Sequence, residues 1–310
     1  MAQAITARVD AKDDGATLAA VVRALLGQMP WSKARDLVAS GRVYVDGERV
    51  SDAAARVRAG SEIRVEPEAA RVRAGVLDRE RVVHLDADVI VVDKPAGVVT
   101  VPYEETDRDT LVDQVRALLR RIDRARDPMA GVVQRLDKDT TGLIVFARNM
   151  RAKRALEEQI RAHTVLRRYL ALVHGHARSG TRESWIVQDR GDGLRGSWGT
   201  RPEHRGDPPK DAKHAVTHFQ VKRTLARATL LECRLETGRQ HQIRIHVSEM
   251  GHPLVGETVY IRNYSGERIE APRPMLHAAE LGFAHPRDGK QVSWRSPLPD
   301  DFQRALAAEP

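Results

Sequence analysis

The stretch Gln134-Arg135-Leu136-Asp137-Lys138-Asp139-Thr140-Thr141-Gly142-Leu143 runs directly into an apolar segment, residues 143–147, which predicts a buried strand. Residues two apart in a strand point to the same face, so we expect Arg135 and Asp137 to lie side by side. A guanidinium beside a carboxylate keeps the carboxylate ionised and oriented, as a nucleophilic Asp requires. The alternative is a surface ion pair on an edge strand, and this segment alone does not decide between the two.

The composition favours a two-domain protein with a polyanionic partner. The chain has 310 residues, of which 41% are hydrophobic, enough for a buried core. It carries 51 basic and 43 acidic residues, for a net charge of +8, and such a surplus attracts nucleic acid. The alternative is a generally arginine-rich proteome. Aromatic residues make up 4%, so stacking on bases must depend on a few specific side chains.

The single cysteine, Cys233, forms neither an internal disulfide nor a thiolate metal cluster, which suits a reducing compartment. The N-terminal residues contain no apolar signal core, and no apolar run approaches membrane-spanning length. We therefore expect a soluble, cytoplasmic protein without a membrane partner.

Residues 16–66 are predicted to form a small α+β domain with a hairpin at Asp46-Gly47. A basic helix and the run Gly41-x-Val43-x-Val45-Asp46-Gly47 resemble the RNA-binding domain named after ribosomal protein S4. The resemblance implies that Lys33, Arg35 and Arg42 face RNA; alternatively they are solvated charges on an ordinary small domain. Residues 67–80 are the expected linker, and residues 81–305 the catalytic domain.

Four segments resemble the RluA-type pseudouridine synthases, in the same order, over roughly residues 81–290. They are 134–143, the strand and turn 89–97 with Lys94-Pro95-x-Gly97, the strand 165–175 with Tyr169, and Glu236-Thr237-Gly238-Arg239-Gln240-His241-Gln242-Ile243-Arg244. The motif's His is Gln134 here, which we expect to alter local hydrogen bonding more than chemistry. The resemblance implies an α+β fold, with a mixed, mainly antiparallel sheet and flanking helices, and an isomerase that converts uridine to pseudouridine.

The resemblance also assigns roles to individual residues. Asp137 is the nucleophile or key base, and whether it attacks the sugar, attacks the ring or abstracts a proton stays open. Arg239 opens a helix and pairs with Asp137, while Tyr169 lies against the target base. Arg135 holds the flipped-out position or a phosphate. Three further substrate contacts are implied: Lys94 to phosphate, and Ile245 and Leu276 as walls of the uracil pocket. The alternatives are a solvated turn lysine and two ordinary core residues.

No cofactor or metal is expected. His241 and His246 are five residues apart, with no Cys or carboxylate at ligand spacing, which argues against zinc. Gly191, Gly193 and Gly196 form a literal G-x-G-x-x-G, but the sequence that follows predicts no helix, which argues against a dinucleotide site.

Two other functions compete with this interpretation. A non-catalytic RNA-binding or ribosome-assembly protein would keep the fold without the chemistry. A glycoside-processing enzyme would use Asp137 and Asp139 as paired carboxylates, whereas we interpret Asp139 as a turn residue. The expected partner is RNA, with ribosomal RNA favoured by family analogy, and we expect a monomer. The sequence does not identify the target uridine.

Overall fold

The computed structural model describes residues 4–39, 41–50, 53–67, 76–102, 109–124, 126–200 and 206–309. The chain divides into two compact units, Met1–Leu77 with Val101–Ala125, and Asp78–Thr100 with Arg126–Pro310. Most of the predicted linker, residues 68–75, lies outside the described residues, so the predicted domain borders stay predictions. Residues 101–125, which belong to the predicted catalytic domain, group with the first unit.

The first unit combines helices with a small antiparallel sheet. Its elements are β1 (Ile5–Arg8), α1 (Leu18–Leu25), α2 (Trp31–Ala39), β2 (Val43–Val45), β3 (Glu48–Arg49), β4 (Glu62–Val65) and α3 (Leu111–Asp123). The sheet has the order β1-β4-β2-β3. Asp46 and Gly47 both have positive φ, 50° and 84°, which fits the predicted hairpin turn between β2 and β3. Leu18, Val22, Val38 and Ile63 are fully buried in its core.

The second unit contains a large sheet with helices packed on it. Its strands are β5 (Val82–Leu85), β6 (Val89–Lys94), β7 (Gly131–Val132), β8 (Thr141–Ala147), β9 (Leu166–His174), β10 (Gly180–Val187), β11 (Gly196–Ser197), β12 (Lys213–Thr224), β13 (Ala228–Leu235), β14 (Leu276–Ala284) and β15 (Gln291–Arg295). Its helices are α4 (Met150–Arg161), α5 (Gln242–Glu249) and α6 (Asp300–Ala307).

The strand order is β11-β10-β12-β13-β9-β14-β8-β6-β5, with β15 on β14 and β7 on β8. Within the described part of the chain, every strand pair is antiparallel except β8 with β14. That parallel contact joins only His277 to Thr141 and Ala278 to Gly142. The predicted fold, a mixed and mainly antiparallel sheet with flanking helices, is confirmed.

Hydrophobic burial explains why β8 lies inside the sheet. All seven of its residues are buried, and Leu143 and Val145 pack in one cluster with Ala152 and Leu156 of α4. Each large apolar side chain contributes roughly 1.5–3 kcal/mol when fully buried. Asn149 begins α4 by accepting a hydrogen bond from the Ala152 amide at 2.8 Å. β8 is therefore a rigid support for the loop that precedes it.

The end of β6 and β8 nearest α4 is closed by a buried carboxylate, Asp88, which is 1% exposed. Its Oδ1 accepts hydrogen bonds from Asn149 Nδ2 and Arg151 Nη2, both at 2.8 Å. Its Oδ2 accepts from Arg287 Nε, also at 2.8 Å. These bonds tie the β5–β6 turn to the start of α4 and to the residues after β14.

None of the described helices has the length and apolar composition needed to cross a membrane.

Candidate active site

The loop that carries Asp137 enters the sheet through Gly142. This residue has φ of 108°, and a Cβ there would lie 2.3 Å from the carbonyl oxygen of Ala278. Only glycine allows this close approach of two backbones in that conformation. The Thr-Gly-Leu part of the motif therefore fixes where β8 meets β14, and thereby where the loop begins.

Lys94, at the end of β6, holds the loop from beneath. Its side chain is fully buried, and Nζ donates hydrogen bonds to the carbonyl oxygens of Lys138, Thr140 and Pro95, at 2.6, 2.9 and 2.9 Å. The prediction that Lys94 contacts phosphate is wrong, because the ammonium faces loop carbonyls and is closed to solvent. Burial lowers its pKa to about 7, against the opposing charges of Asp139 and Asp137.

Two further side chains fix the same loop. Thr100 Oγ1 donates to the Leu136 carbonyl oxygen at 2.7 Å and accepts from the Leu136 amide at 3.1 Å. Arg273 Nη1 donates to the Asp139 carbonyl oxygen at 3.0 Å, and its guanidinium is held by Asp301. Because every one of these contacts is made to the backbone, they position Asp137 without using its carboxylate.

The Asp137 carboxylate is half-buried and accepts no side-chain or backbone hydrogen bond from the described residues. Its Oδ2 lies 3.6 Å from Arg244 Nη1, and its Oδ1 lies 3.9 Å from His241 Nε2. Tyr260 OH lies 2.7 Å from His241 Nδ1, and donation to this nitrogen would place the ring proton on Nε2, toward Asp137. Burial lowers the pKa of His241, with Asp137 opposing, so a neutral imidazole is favoured. The carboxylate is held between a cation and a polar ring while both its oxygens remain available.

Arg244 is itself fixed by Glu257. Nε and Nη2 of Arg244 donate to the two Glu257 oxygens, both at 2.8 Å, in a bidentate pair. Glu257 Oε1 also accepts backbone hydrogen bonds from residues 258–260. Burial alone would lower the pKa of Arg244, but the bond to Glu257 and the charge of Asp137 raise it above its usual value. Arg244 is therefore a permanent, oriented cation beside Asp137.

These residues open into a pocket of about 350 Å³, within the size range of small-molecule sites. Asp137, Tyr169 and Leu276 line it, as predicted for the substrate pocket, and so do Arg135 and Gln134. Tyr169 is 8% exposed, and burial raises its pKa, so the phenol stays protonated at neutral pH. Its backbone pairs across the sheet with Cys233 of β13 and Ala278 of β14.

The predicted pair of Arg239 with Asp137 is wrong. Gln242 Oε1 accepts from Thr237 Oγ1 at 2.8 Å and from the Arg239 amide at 2.9 Å, which makes a tight turn before α5. The Arg239 side chain is exposed, lines the pocket, and donates from Nε to the His214 carbonyl oxygen at 2.8 Å. The helix begins at Gln242 and not at Arg239, and the arginine beside Asp137 is Arg244.

The predicted pocket wall Ile245 is also wrong. Ile245 is fully buried in a cluster with Ile186, Ala215 and Tyr260 and does not line the pocket. Ile243 lines it instead. Successive residues of a helix are turned by about 100°, so the start of α5 decides which of them faces the cavity.

Sequence reasoning missed Arg244, Glu257 and Arg273 as functional residues. For Arg244 a signal existed, because it lies three residues after His241 and such residues share one face of a helix. Glu257 stands out as an acid in the apolar segment 251–260, but its partner is distant in the chain. Arg273 binds loop carbonyls, and backbone contacts of this kind leave no pattern in a sequence.

The two histidines weighed as zinc ligands do not converge. His246 lies on α5, where Nδ1 contacts Thr217 Oγ1 and Nε2 contacts Ser184 Oγ, both at 2.9 Å. Burial lowers its pKa to about 4, so the ring is neutral. His241 instead contacts Tyr260 beside Asp137.

The Lys33, Arg35 and Arg42 side chains belong to the first unit. Lys33 is exposed on α2, while Arg35 and Arg42 are half-buried. Their assignment to RNA binding stays a prediction.

Comparison with known proteins identifies the family of the chain. The family model for RNA pseudouridylate synthase matches residues 88–249, and the S4 domain model matches residues 18–63. The uncharacterized RNA pseudouridine synthase YlyB of Bacillus subtilis is 38% identical over an alignment of 286 positions that covers 89% of this chain and 89% of its own. The ribosomal large subunit pseudouridine synthase D of Xanthomonas campestris is 35% identical over 93% of this chain and 87% of its own.

Among solved structures, human RNA pseudouridylate synthase domain containing 4 superimposes with a TM-score of 0.61 at 21% identity, over 74% of this chain and 92% of that one. At this identity the likeness concerns the fold. The sequence matches carry the assignment: the chain belongs to the RNA pseudouridine synthase family, and it is an isomerase with an S4 domain at its N-terminal side.

Proposed function

We propose that this pseudouridine synthase acts on uridines of large-subunit ribosomal RNA and that Asp137 is its catalytic carboxylate. The observation that carries the proposal is the Asp137 side chain itself. It is held in a pocket by backbone contacts to its loop, it lies 3.6 Å from an oriented arginine, and both its oxygens are available. The relatives named for the ribosomal large subunit support the choice of RNA.

The reaction exchanges one bond to the sugar for another. The C1′–N1 bond breaks, the uracil turns in the pocket, C5 bonds to C1′, and the C5 hydrogen leaves as a proton while N1 gains one. Asp137 acts at the reacting atoms, and Arg244 places a positive charge 3.6 Å from its carboxylate. Tyr169 gives the ring a flat apolar face to turn against, and Leu276 closes the wall beside it.

The pocket requires the nucleotide to leave its stack. An enclosed carboxylate cannot reach the glycosidic carbon of a paired base inside a helix, so the target uridine must flip out. Arg135 is exposed at the pocket, where it can occupy the space that the base leaves or bind a phosphate. The exposed basic residue Lys33 and its neighbours Arg35 and Arg42 would bind RNA through the S4 domain, mainly by charge.

The structure gives no support to the paired-carboxylate alternative. Asp139 does not line the pocket, and its carbonyl oxygen binds Arg273 in the turn before β8. A glycoside-processing site would need a second acid facing the same cavity as Asp137. Among the described residues that line the pocket, the other acidic residue is Glu236, whose carboxylate contacts His218 at 2.6 Å.

Tritium release from RNA labelled at uridine C5 tests the proposal. The substrate is total RNA from a strain that lacks this protein, and the proteins are wild type, Asp137→Asn and Asp139→Asn. We expect release by wild type, loss of release by at least about 1000-fold in Asp137→Asn, and release within a few-fold of wild type in Asp139→Asn.

Binding of the same RNA by filter retention is the control, because Asp137→Asn should bind as wild type does. Release from the large-subunit ribosomal RNA fraction identifies the target class. Release that survives in Asp137→Asn, or that disappears in Asp139→Asn with binding intact, would refute the catalytic assignment.

A further inference from the structure

One side of the pocket is strongly basic. It is formed by the end of α4, the start of β9 and the turn after β13, and its basic side chains are Arg161, His163, Arg167 and Arg239. Glu236 is the acidic residue on this side, and its Oε1 contacts His218 Nε2 at 2.6 Å. In the part of the chain that the structure describes, none of the three arginines forms an ion pair with a carboxylate, and His163 Nδ1 lies 2.7 Å from the Glu236 carbonyl oxygen.

Arg167 is the buried member of the cluster. Its side chain is 6% exposed, and its one hydrogen bond to a described residue runs from Nη2 to the Glu236 carbonyl oxygen at 2.7 Å. Its Nε is buried without any partner. A guanidinium has five donors and is always charged, so this side chain is a desolvated cation with most of its hydrogen-bonding capacity unused. Burial lowers the pKa of Arg167, and Arg239 adds to the effect.

The neighbouring residue, Arg168, forms ion pairs with carboxylates, in contrast to Arg167. Arg168 points to the opposite face of β9, where Nη1 contacts Glu280 Oε2 at 3.0 Å and Nε lies 3.9 Å from Glu232 Oε1. An unpaired buried charge is costly for a folded protein. Among the described residues Arg167 has a carbonyl acceptor but no carboxylate partner, and an anionic ligand can supply the missing negative charge.

Gly238 leaves the guanidinium in place. A Cβ built on Gly238 would lie 2.6 Å from Arg167 Nη1, so the arginine lies directly against bare backbone. Gly238 does not have a positive φ, so its backbone conformation is open to alanine. Residue 238 must therefore be glycine to make room for the Arg167 guanidinium, and the conformation of the turn does not require it.

Arg167 lines the pocket, and the guanidinium donors that reach the cavity are suited to an anion, whereas the buried Nε is closed to a ligand. A planar guanidinium matches the two non-bridging oxygens of a phosphate, and the surrounding basic side chains favour a negative charge over a neutral base carbonyl. Arg167 and Tyr169 lie on one face of β9, about 7 Å apart along the strand. A base that rests against Tyr169 therefore brings its own or the next backbone phosphate toward Arg167.

We propose that Arg167 is the centre of a phosphate subsite, lined by Arg161, His163 and Arg239, that binds the RNA backbone beside the flipped uridine. The proposal rests on the proposed function, because it takes an RNA bound at the Asp137 pocket. Arg167 then acts in substrate binding and not at the reacting atoms.

The test compares Arg167→Gln with Arg168→Gln, the matched substitution on the other face of the same strand. Tritium release from the labelled total RNA is measured at several salt concentrations to give kcat and KM. For Arg167→Gln we expect KM to rise about tenfold, kcat to change less than about twofold, and the salt slope of log(kcat/KM) to fall by about one. Arg168→Gln should match wild type in all three.

Thermal unfolding without RNA separates binding from a structural role. Removal of an unpaired buried charge should leave the melting temperature of Arg167→Gln equal to that of wild type or higher. Gly238→Ala keeps the charge but displaces the guanidinium, and it should raise KM in the same direction as Arg167→Gln.

A lower melting temperature with unchanged KM would overturn the proposal, as would a fall in kcat with an unchanged salt slope. Failure of wild type to release tritium would refute the proposed function instead. The salt slopes of RNA binding by wild type, Arg167→Gln and Arg168→Gln, measured by filter retention, would then still test the subsite.

Discussion

The two ends of β6 solve the problem of a buried charge in different ways. At one end Asp88, 1% exposed, accepts hydrogen bonds from Asn149, Arg151 and Arg287. At the other end Lys94, fully buried, donates only to backbone carbonyl oxygens and to no carboxylate within the described chain. The Asp88 carboxylate is thus compensated mainly by the opposite charges of two arginines, whereas the Lys94 ammonium is compensated by the dipoles of carbonyl groups.

The difference explains why Asp137 is chemically available. If Lys94 paired directly with Asp137, the carboxylate would be bound to an ammonium as tightly as Asp88 is bound to its arginines. Instead Lys94 holds the loop backbone, and the nearest cation to the carboxylate, Arg244, stays 3.6 Å away because Glu257 holds it. A catalytic carboxylate needs to be oriented by its surroundings without being saturated by them.

Lys94→Met should produce the largest effect, because it removes the contact on which the comparison depends. Methionine fills a similar volume but leaves three buried carbonyl oxygens without Nζ, and each such loss costs about 1–3 kcal/mol. We expect the free energy of unfolding to fall by about 3–5 kcal/mol and kcat to fall about 100-fold through misplacement of Asp137. Urea denaturation and tritium release measure the two effects.

Lys290→Met is the matched control, because that ammonium is 81% exposed and contacts Asp288 at 3.3 Å. It should change stability by less than about 1 kcal/mol and leave kcat unchanged. If Lys94→Met were as active as wild type, the role of Lys94 in positioning the loop would be disproved.

Asp88→Asn should have an intermediate effect on stability and none on chemistry. One carboxylate oxygen of Asp88 is replaced by an NH₂ group, which cannot accept the hydrogen bonds that the oxygen accepted. We therefore expect the free energy of unfolding to fall by about 2 kcal/mol. Hydrogen bonds from Asn149 and Arg151 lower the pKa of Asp88 to about 2, so this contribution is present above pH 4 and is lost as pH falls through about 2.

Acid unfolding followed by circular dichroism tests the Asp88 prediction, with the exposed Asp300→Asn as control. The kcat of folded Asp88→Asn should stay within about twofold of wild type, since Asp88 lies at the end of β6 away from Asp137. A large loss of kcat in the folded variant would show that the two ends are coupled.

The smallest expected effect is a change of stability with pH above 7, which tests the burial of the Lys94 charge at its end of β6. Burial lowers the pKa of Lys94 to about 7 from a usual value of 10.5, so the unfolded chain keeps a proton that the folded protein loses between these values. The free energy of unfolding of wild type should therefore rise with pH relative to Lys94→Met, by at most about 1.4 kcal/mol per pH unit. Urea denaturation at pH 6, 7, 8 and 9 measures this difference, and parallel curves for the two proteins would contradict it.

Much of the fold followed from local sequence rules. The Asp46-Gly47 turn and the buried strand after Gly142 are set by periodicity and turn chemistry, which act over a few residues. Asp137, Tyr169 and Leu276 line one pocket, as the resemblance implied, because it identified the three segments that carry them.

What failed was the pairing of side chains. Arg239 and Arg244 lie in one short segment, and only the hydrogen bonds of Gln242 decide where the helix begins and which arginine faces Asp137. The position at which α5 begins also determines that Ile243 lines the pocket and Ile245 does not. Composition does not reveal whether a helix starts three residues earlier or later, but that start determines which side chains face the pocket.

The sequence by itself determined the fold class and the enzyme family and singled out Asp137 as the candidate catalytic carboxylate, because these depend on patterns that neighbouring residues impose on one another. Only the tertiary structure decided that Lys94 supports the loop, that Glu257 directs Arg244 to Asp137, and that Arg167 is buried without an opposite charge. These contacts join residues that are far apart in the chain. Their energies depend on burial and on distance, which exist only once the sheet has formed.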